Sequence, residues 1–268
     1  MFRVLLQLFR FRGLLVTLTS RELKARYRGS VLGFLWSLAN PLLLLAVYTF
    51  VFSVVFKPDA RGGMSPYALF LVSGLFPWIW TSASTLEGSM SLLANSGLIR
   101  KAVFPAELLP MVSVLSNLVH LLFALPIVIV AIVAGRILHY PVGGISMLAL
   151  PAILLLHLPM VSGLALGASA LTVHFKDARD LLANLLTLAF FLTPILYSLD
   201  TIHGLGPVYW AVRLNPFTPF IRAYQTVLFR GELPDPLLWA QMGLVSLVFW
   251  AMGAGLFERL RETLVEAA

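Results

Sequence analysis

The chain has 268 residues, 59% hydrophobic and 12% charged, with a mean hydropathy of +0.91. A soluble domain carries about 25% charged residues, so an ordinary water-soluble domain is excluded and lipid becomes the main solvent. The chain has no cysteine, which excludes disulfides and thiolate metal sites, and its net charge of +7 has to be read from where the cations fall.

The first thirty residues hold Arg3, Arg10 and Arg12, which interrupt any apolar stretch a cleavable leader would need. Next comes "RELKARYRGSVLGFLWSLANP", residues 21–41, a dense basic cluster set against charge-free sequence. On a helical wheel Arg21, Lys24 and Arg28 fall within roughly 60° of one another, while Val16, Leu23 and Tyr27 share another face. This pattern predicts a helix lying in the headgroup layer, with Arg21, Lys24, Arg26 and Arg28 available to anionic lipid and Glu22 able to pair with Arg26 one turn on. Gly29 and Gly33 then let the chain turn into the membrane.

Six charge-poor intervals follow, each long enough for the roughly 20 residues of a bilayer crossing. They place spans near 31–56, 67–87, 108–134, 147–173, 182–199 and 237–257, an all-α polytopic membrane protein forming one transmembrane domain over 1–268. Six crossings put both termini on one side. Of the 19 Lys and Arg residues, thirteen then fall on the terminal side and six on the other, so the positive-inside rule predicts cytoplasmic termini. The positive charge is thus a topology signal and implies no nucleic-acid partner.

Within the first span, Pro41 breaks a backbone bond that Asn40 can re-satisfy, and Tyr48, Phe52 and Phe56 form an aromatic stripe. In the second, Phe76 and Trp80 flank Pro77, expected to kink the helix. These rings, with Tyr197, are candidates either for an interface belt or for a sugar passage, since flat rings stack on pyranose C–H faces. The inside loop "SLLANSGLIRKAVFPAELLP" exposes Leu98, Ile99, Val103 and Phe104. It predicts either an amphipathic helix for a protein partner or packing against the bundle's own end. "VHFKDARD" makes a second inside loop of mixed charge.

Residues 200–236 lie outside yet are rich in aromatic and aliphatic side chains. They predict re-entrant or interfacial helices, one of them beginning near Pro219 and placing Phe220, Tyr224, Val227 and Leu228 at helical spacing. The sequence has no G-x-x-x-x-G-K loop and no H-E-x-x-H spacing. His120 and His157 fall mid-span, where bonding to a neighbouring helix is expected of them. The spans contain almost no carboxylate, so proton or sodium coupling is disfavoured and energy is expected from another chain.

"SRELKARYRGSVLGFLWSLANPLLLLAVYTFVFSVVF", "LFLVSGLFPWIW", "NSGLIRKAVFPAELLP", "VHFKDARDLL", "FFLTPILYSLD" and "LNPFTPFIRAYQ" occur in that order. Together they resemble membrane subunits of type-2 ABC exporters of polysaccharides and teichoic acids, over about residues 18–257. The resemblance implies a homodimer joined to two copies of a separate cytoplasmic ATPase, which binds the ATP and Mg; this chain itself would hold no cofactor and catalyse nothing. It implies a coupling helix on the ATPase formed by Asn95, Ser96, Leu98, Ile99, Arg100, Lys101, Val103 and Phe104, with Lys176, Asp177, Arg179 and Asp180 as a lesser contact. The segment 200–230 would form outer gate helices, with Tyr209, Trp210, Phe217, Phe220, Arg222 and Tyr224 at the gate. Cargo would be a glycan on a polyprenyl diphosphate, of O-antigen, capsule or teichoic-acid type, passing between two protomers in a bacterial cytoplasmic membrane. A type-2 ABC drug or lipid exporter subunit, a membrane-embedded glycan or lipid transferase, and a passive scaffold or channel are the alternatives. The first often carries a large outside domain between spans one and two, where only about ten residues stand here. The second needs clustered catalytic charges, and the third has no need of an apolar inside loop.

Overall fold

The computed structural model describes residues 2–51, 64, 66–97, 104–140, 142–175 and 177–267. Phe52, Phe56, Leu98, Ile99, Arg100, Lys101, Val103 and Lys176, all expected at functional positions, lie outside the described residues. Regular structure among the described residues is entirely helical. The N-terminal arm comprises α1 (Phe2–Arg10) and α2 (Arg12–Tyr27), followed by α3 (Trp36–Thr49), α4 (Tyr67–Ala94) and α5 (Leu108–Ile137). Then come α6 (Leu150–His174), α7 (Ala178–Phe191), the short α8 (Pro207–Leu214) and α9 (Thr218–Gln225), and α10 (Pro236–Ala267).

Four stretches are long and apolar enough to cross a bilayer: Tyr67–Ala94, Leu108–Ile137, Ile145–His174 and Pro236–Arg261. They match the second, third, fourth and sixth expected spans. α4 is the central post. Of its most apolar 18 residues 78% are buried, against 28–33% for the other three. It runs through Pro77 as one continuous helix. Thr81 Oγ1 bonds the Pro77 carbonyl at 2.9 Å on that turn.

The helices approach closely where side chains are small. A Cβ on Gly88 of α4 would lie 2.8 Å from the Ala165 Cβ of α6. α6 and α10 meet more closely still. A Cβ on Gly253 would overlap the Gly163 carbonyl, and one on Gly163 would overlap the backbone of Phe249. Small residues at such crossings replace the hydrophobic drive that lipid cannot supply. Ser246 Oγ donates to the Leu156 carbonyl across the same pair.

Within the fifth expected span, 182–199, helix α7 ends at Phe191. Pro194 has no N–H to extend the ladder and disfavours helical backbone at Thr193. At the other end of the molecule, the expected turn at Gly29 and Gly33 is present, with φ of +77° and +50°. α3 carries Pro41 in its interior; the side chains of Asn40 and Pro41 lie outside the described atoms.

Candidate functional site

The N-terminal arm is tied to the bundle by polar side chains. Arg26 Nη2 of α2 donates to Glu87 Oε2 of α4 at 2.7 Å. Asn117 Nδ2 of α5 donates to the same oxygen at 2.6 Å, and Arg26 Nη1 reaches Asn117 Oδ1 at 3.4 Å. One residue on, the Tyr27 hydroxyl lies 3.1 Å from His120 Nε2. Burial alone would lower the pKa of Arg26, but its bond to Glu87 and the Glu87 and Glu22 charges outweigh this and raise it. The expected Glu22–Arg26 pair is present at 3.8 Å.

The four expected headgroup cations therefore separate into two sets. Arg21, Lys24 and Arg28 are exposed and line one shallow depression with Val16, Thr17 and Ser20. Arg26 turns inward, its side chain 26% exposed. Beneath it lies a cavity of about 360 Å³ bounded by the arm, the start of α3, α4 and α5.

At the expected partner-contact loops, Asn95 Nδ2 caps the end of α4 through the Ser91 carbonyl at 2.9 Å. Ser96 is half-buried. Phe104 packs on the chain's own core, as one of the two readings of that loop required. Asp177, Arg179 and Asp180 stand at the start of α7, with Arg179 and Asp180 3.8 Å apart and largely exposed. Such an exposed pair contributes little to stability.

The broken end of α7 is held by side chains from α4 and from residues 197–225. Four successive interactions take carbonyls freed where the helix stops. The Tyr197 hydroxyl donates to Phe191 O at 2.9 Å, and Asn215 Nδ2 to Leu192 O at 3.0 Å. Gln225 Nε2 donates to Pro194 O at 2.8 Å and the Tyr67 hydroxyl to Leu196 O at 3.1 Å. Irregular backbone within an apolar protein is tolerated where side chains satisfy it in this way. A π-helical turn, Thr226–Arg230, extends α9. Its Leu228 and Val227 carbonyls accept from Gly143 N and Ser146 Oγ, each at 3.1 Å.

Two of the aromatic groupings involve the candidate rings. Tyr48 of α3 stacks on Phe190 of α7 at 6.2 Å, and Phe190 and Phe217 both meet Trp78 of α4. Deeper in the bundle, His157 is stacked on Phe220 at 4.4 Å, with Trp80 against its edge. Its Nε2 lies 3.1 Å from Thr81 Oγ1, and its Nδ1 lies 3.4 Å from the Tyr224 hydroxyl. Both mid-span histidines thus bond neighbouring elements, as expected. Phe76 and Trp80 are 3% and 2% exposed, which rules out an interface belt for this pair, since a belt needs rings at the surface; both residues border the cavity. Phe220 and Tyr224 are also core residues. Within residues 200–236, Arg213 sits 5.7 Å and 5.3 Å from the ring centroids of Tyr209 and Trp210, Arg230 pairs with Asp200 at 2.8 Å, and Arg222 is half-buried.

Sequence reasoning passed over Glu87 and Asn117 as partners for the arm. A signal was present: Glu87 is a lone carboxylate at a span end, and Asn117 and His120 lie one helical turn apart on one face. Among the described residues no cluster of His, Asp and Glu is arranged to hold a metal ion.

The family described as ABC-2 type transporter matches residues 13–229. The chain is 36% identical to an O-antigen export system permease protein, RfbA, of Myxococcus xanthus, over 100% of both chains. It is 30% identical to a permease of the same name from Klebsiella pneumoniae, over 94% of each. A polysialic acid transport protein, KpsM, of Escherichia coli is 22% identical over 91% of this chain and 92% of its own. The matched segment runs from α2 through the central post and α6 to Phe229, and on that ground the chain belongs to the ABC-2 type transporter family of multi-pass membrane proteins.

Proposed function

We propose that this chain is the membrane-spanning subunit of an ABC exporter that moves a polyprenyl-diphosphate-linked polysaccharide of O-antigen type across the bacterial cytoplasmic membrane. The observation that carries the reading is the full-length likeness to an O-antigen export permease. Two copies of this chain join two copies of a cytoplasmic ATPase, which supplies ATP hydrolysis; the sequence itself has no phosphate-binding loop. α3 with the residues up to 56, and α7 with the segment after it, complete six crossings, and both termini are cytoplasmic. α8 and α9 enter the outer leaflet as gate helices.

The exposed stripe Leu181, Leu185, Leu188 and Phe191 on α7, with Leu43 and Val47 on α3 and Phe50 just beyond it, supports a second protomer. The glycan passes between the two. The ATPase presses on the loop 95–104, and α4, continuous from that loop to the outer segment, carries the displacement. Arg21, Lys24 and Arg28 attract the diphosphate headgroup at the inner leaflet.

The test is genetic and then biochemical. Deleting the gene is expected to strip the cell surface of one polysaccharide and leave its lipid-linked precursor inside. Vesicles holding this chain and its ATPase should translocate that precursor only with ATP. Translocation by this chain alone, or an unchanged surface glycan in the deletion strain, overturns the proposal.

A further inference from the structure

The cavity beneath Arg26 is divided in its chemistry. Its lining combines polar Arg26, Tyr27, Ser30 and His120 with aromatic and aliphatic Trp36, Phe76, Trp80, Leu121 and Ala124. At about 360 Å³ it is near the lower end of small-molecule sites, which run to about 300–1,000 Å³. That volume suits one ring and its substituents, not a length of polymer.

Its electrostatics favour an uncharged ligand. Among the described residues at the wall the full positive charge is Arg26, and Glu87 at 2.7 Å and Glu22 at 3.8 Å already answer it. An anion would meet a guanidinium whose charge these carboxylates already offset. A hydroxyl-rich ring needs no such charge. Ser30 Oγ accepts from Gly33 N at 3.2 Å and retains its own proton to donate. The Trp80 N–H is committed to the Val114 carbonyl at 3.2 Å, so Trp80 offers only its ring. Trp36, 44% exposed, stands at the rim, where an aromatic face meets a ligand entering from the membrane surface.

We infer that this cavity is a binding site for a single uncharged pyranose ring, held by stacking on Trp36 and by hydrogen bonds to Arg26, Ser30 and His120. The inference rests on the glycan-exporter reading and adds to it a place within each protomer where one sugar of the cargo is held. The exposed cations Arg21, Lys24 and Arg28 take no part in it.

The test uses the full chain in lipid nanodiscs and four probes: D-mannose, D-galactose, L-rhamnose and N-acetyl-D-glucosamine, with sodium pyrophosphate as the anionic arm. Binding is read by saturation-transfer NMR and by tryptophan emission. At least one sugar should bind saturably, and Trp36→Leu and Ala124→Phe should each weaken it at least tenfold. Trp36 is at the rim, so its substitution should leave the thermal unfolding midpoint unchanged. If Ala124→Phe fails to fold, Trp36→Leu and His120→Phe decide. No saturable binding by any of the four sugars, binding that survives these substitutions, or pyrophosphate binding displaced by none of the sugars overturns the inference. A chain that exports polysaccharide in cells yet binds no sugar here sinks this inference alone and leaves the exporter reading intact.

Discussion

Arg26 and Glu87 join the N-terminal arm to the central helix through a 2.7 Å ion pair, and Asn117 shares the carboxylate at 2.6 Å. The arm is therefore not simply adsorbed on lipid; it is bonded to α4 and α5. Hydrogen bonds to charged groups are worth about 1.5–3 kcal/mol when buried. Partial exposure brings this pair to about 1 kcal/mol. Glu87→Gln is expected to lower the unfolding midpoint in detergent by about 2–4 °C, and Arg26→Gln to do the same. In the double variant the two losses should not add, because each removes the same ion pair. Fully additive losses would show that the pair is not coupled.

The crossing of α6 and α10 is set by Gly163 and Gly253, where any side chain meets backbone. Backbone cannot move aside as a flexible side chain can. Gly253→Leu should therefore cost more than the about 1–3 kcal/mol typical of overpacking and abolish recoverable protein. Gly255, two residues on, has nothing within 4 Å of a built Cβ. Gly255→Ala is expected to stabilise by about 0.8 kcal/mol through helix propensity alone. Expression and thermal unfolding of the two variants read the contrast directly.

Composition and charge spacing suffice for the helical class and for four spans, because long apolar intervals have few alternatives in lipid. The arm and its turn at Gly29 and Gly33 are legible for a similar reason: cations at helical spacing and glycines have local meanings. The end of α7 is not, since the apolar run continues to Leu199 and hydropathy is blind to backbone geometry. Thr193-Pro194 carries the missing information. The split among the four cations is also hidden. Arg26 differs from Arg28 only in which face meets α4, and that depends on packing between residues 61 positions apart. Phe76 and Trp80 look like belt candidates because spacing along a helix does not reveal which side a neighbour covers.

Gln225 and Asn215 hold the carbonyls that α7 releases at Pro194 and Leu192. Gln225 is buried, so Gln225→Leu leaves the Pro194 carbonyl without a donor at a site that water does not readily reach. The expected cost is about 1–3 kcal/mol. Gln225→Glu should be worse, since the carboxylate cannot donate and is charged at neutral pH. Asn215→Leu should cost less, because Asn215 lies nearer the surface. Thermal unfolding should rank the three substitutions in falling severity as Gln225→Glu, then Gln225→Leu, then Asn215→Leu. Equal midpoints would remove the capping role from the outer segment.

Arg21, Lys24 and Arg28 remain exposed on and just beyond α2 while Arg26 is engaged. An interfacial cation contributes about 1 kcal/mol toward an anionic headgroup, so the three together correspond to an affinity change on the order of 100-fold. Replacing these three by Gln in the reconstituted exporter is expected to raise the KM for the lipid-linked precursor by that order and to leave kcat and the unfolding midpoint near wild type. Raising the salt concentration should weaken the wild type toward the variant, because the interaction is screened over about a Debye length. Arg26→Gln should behave in the opposite way, lowering the midpoint while changing the salt dependence little. An unchanged KM in the triple variant would remove the headgroup role from this face of the helix and leave it as an ordinary topology signal.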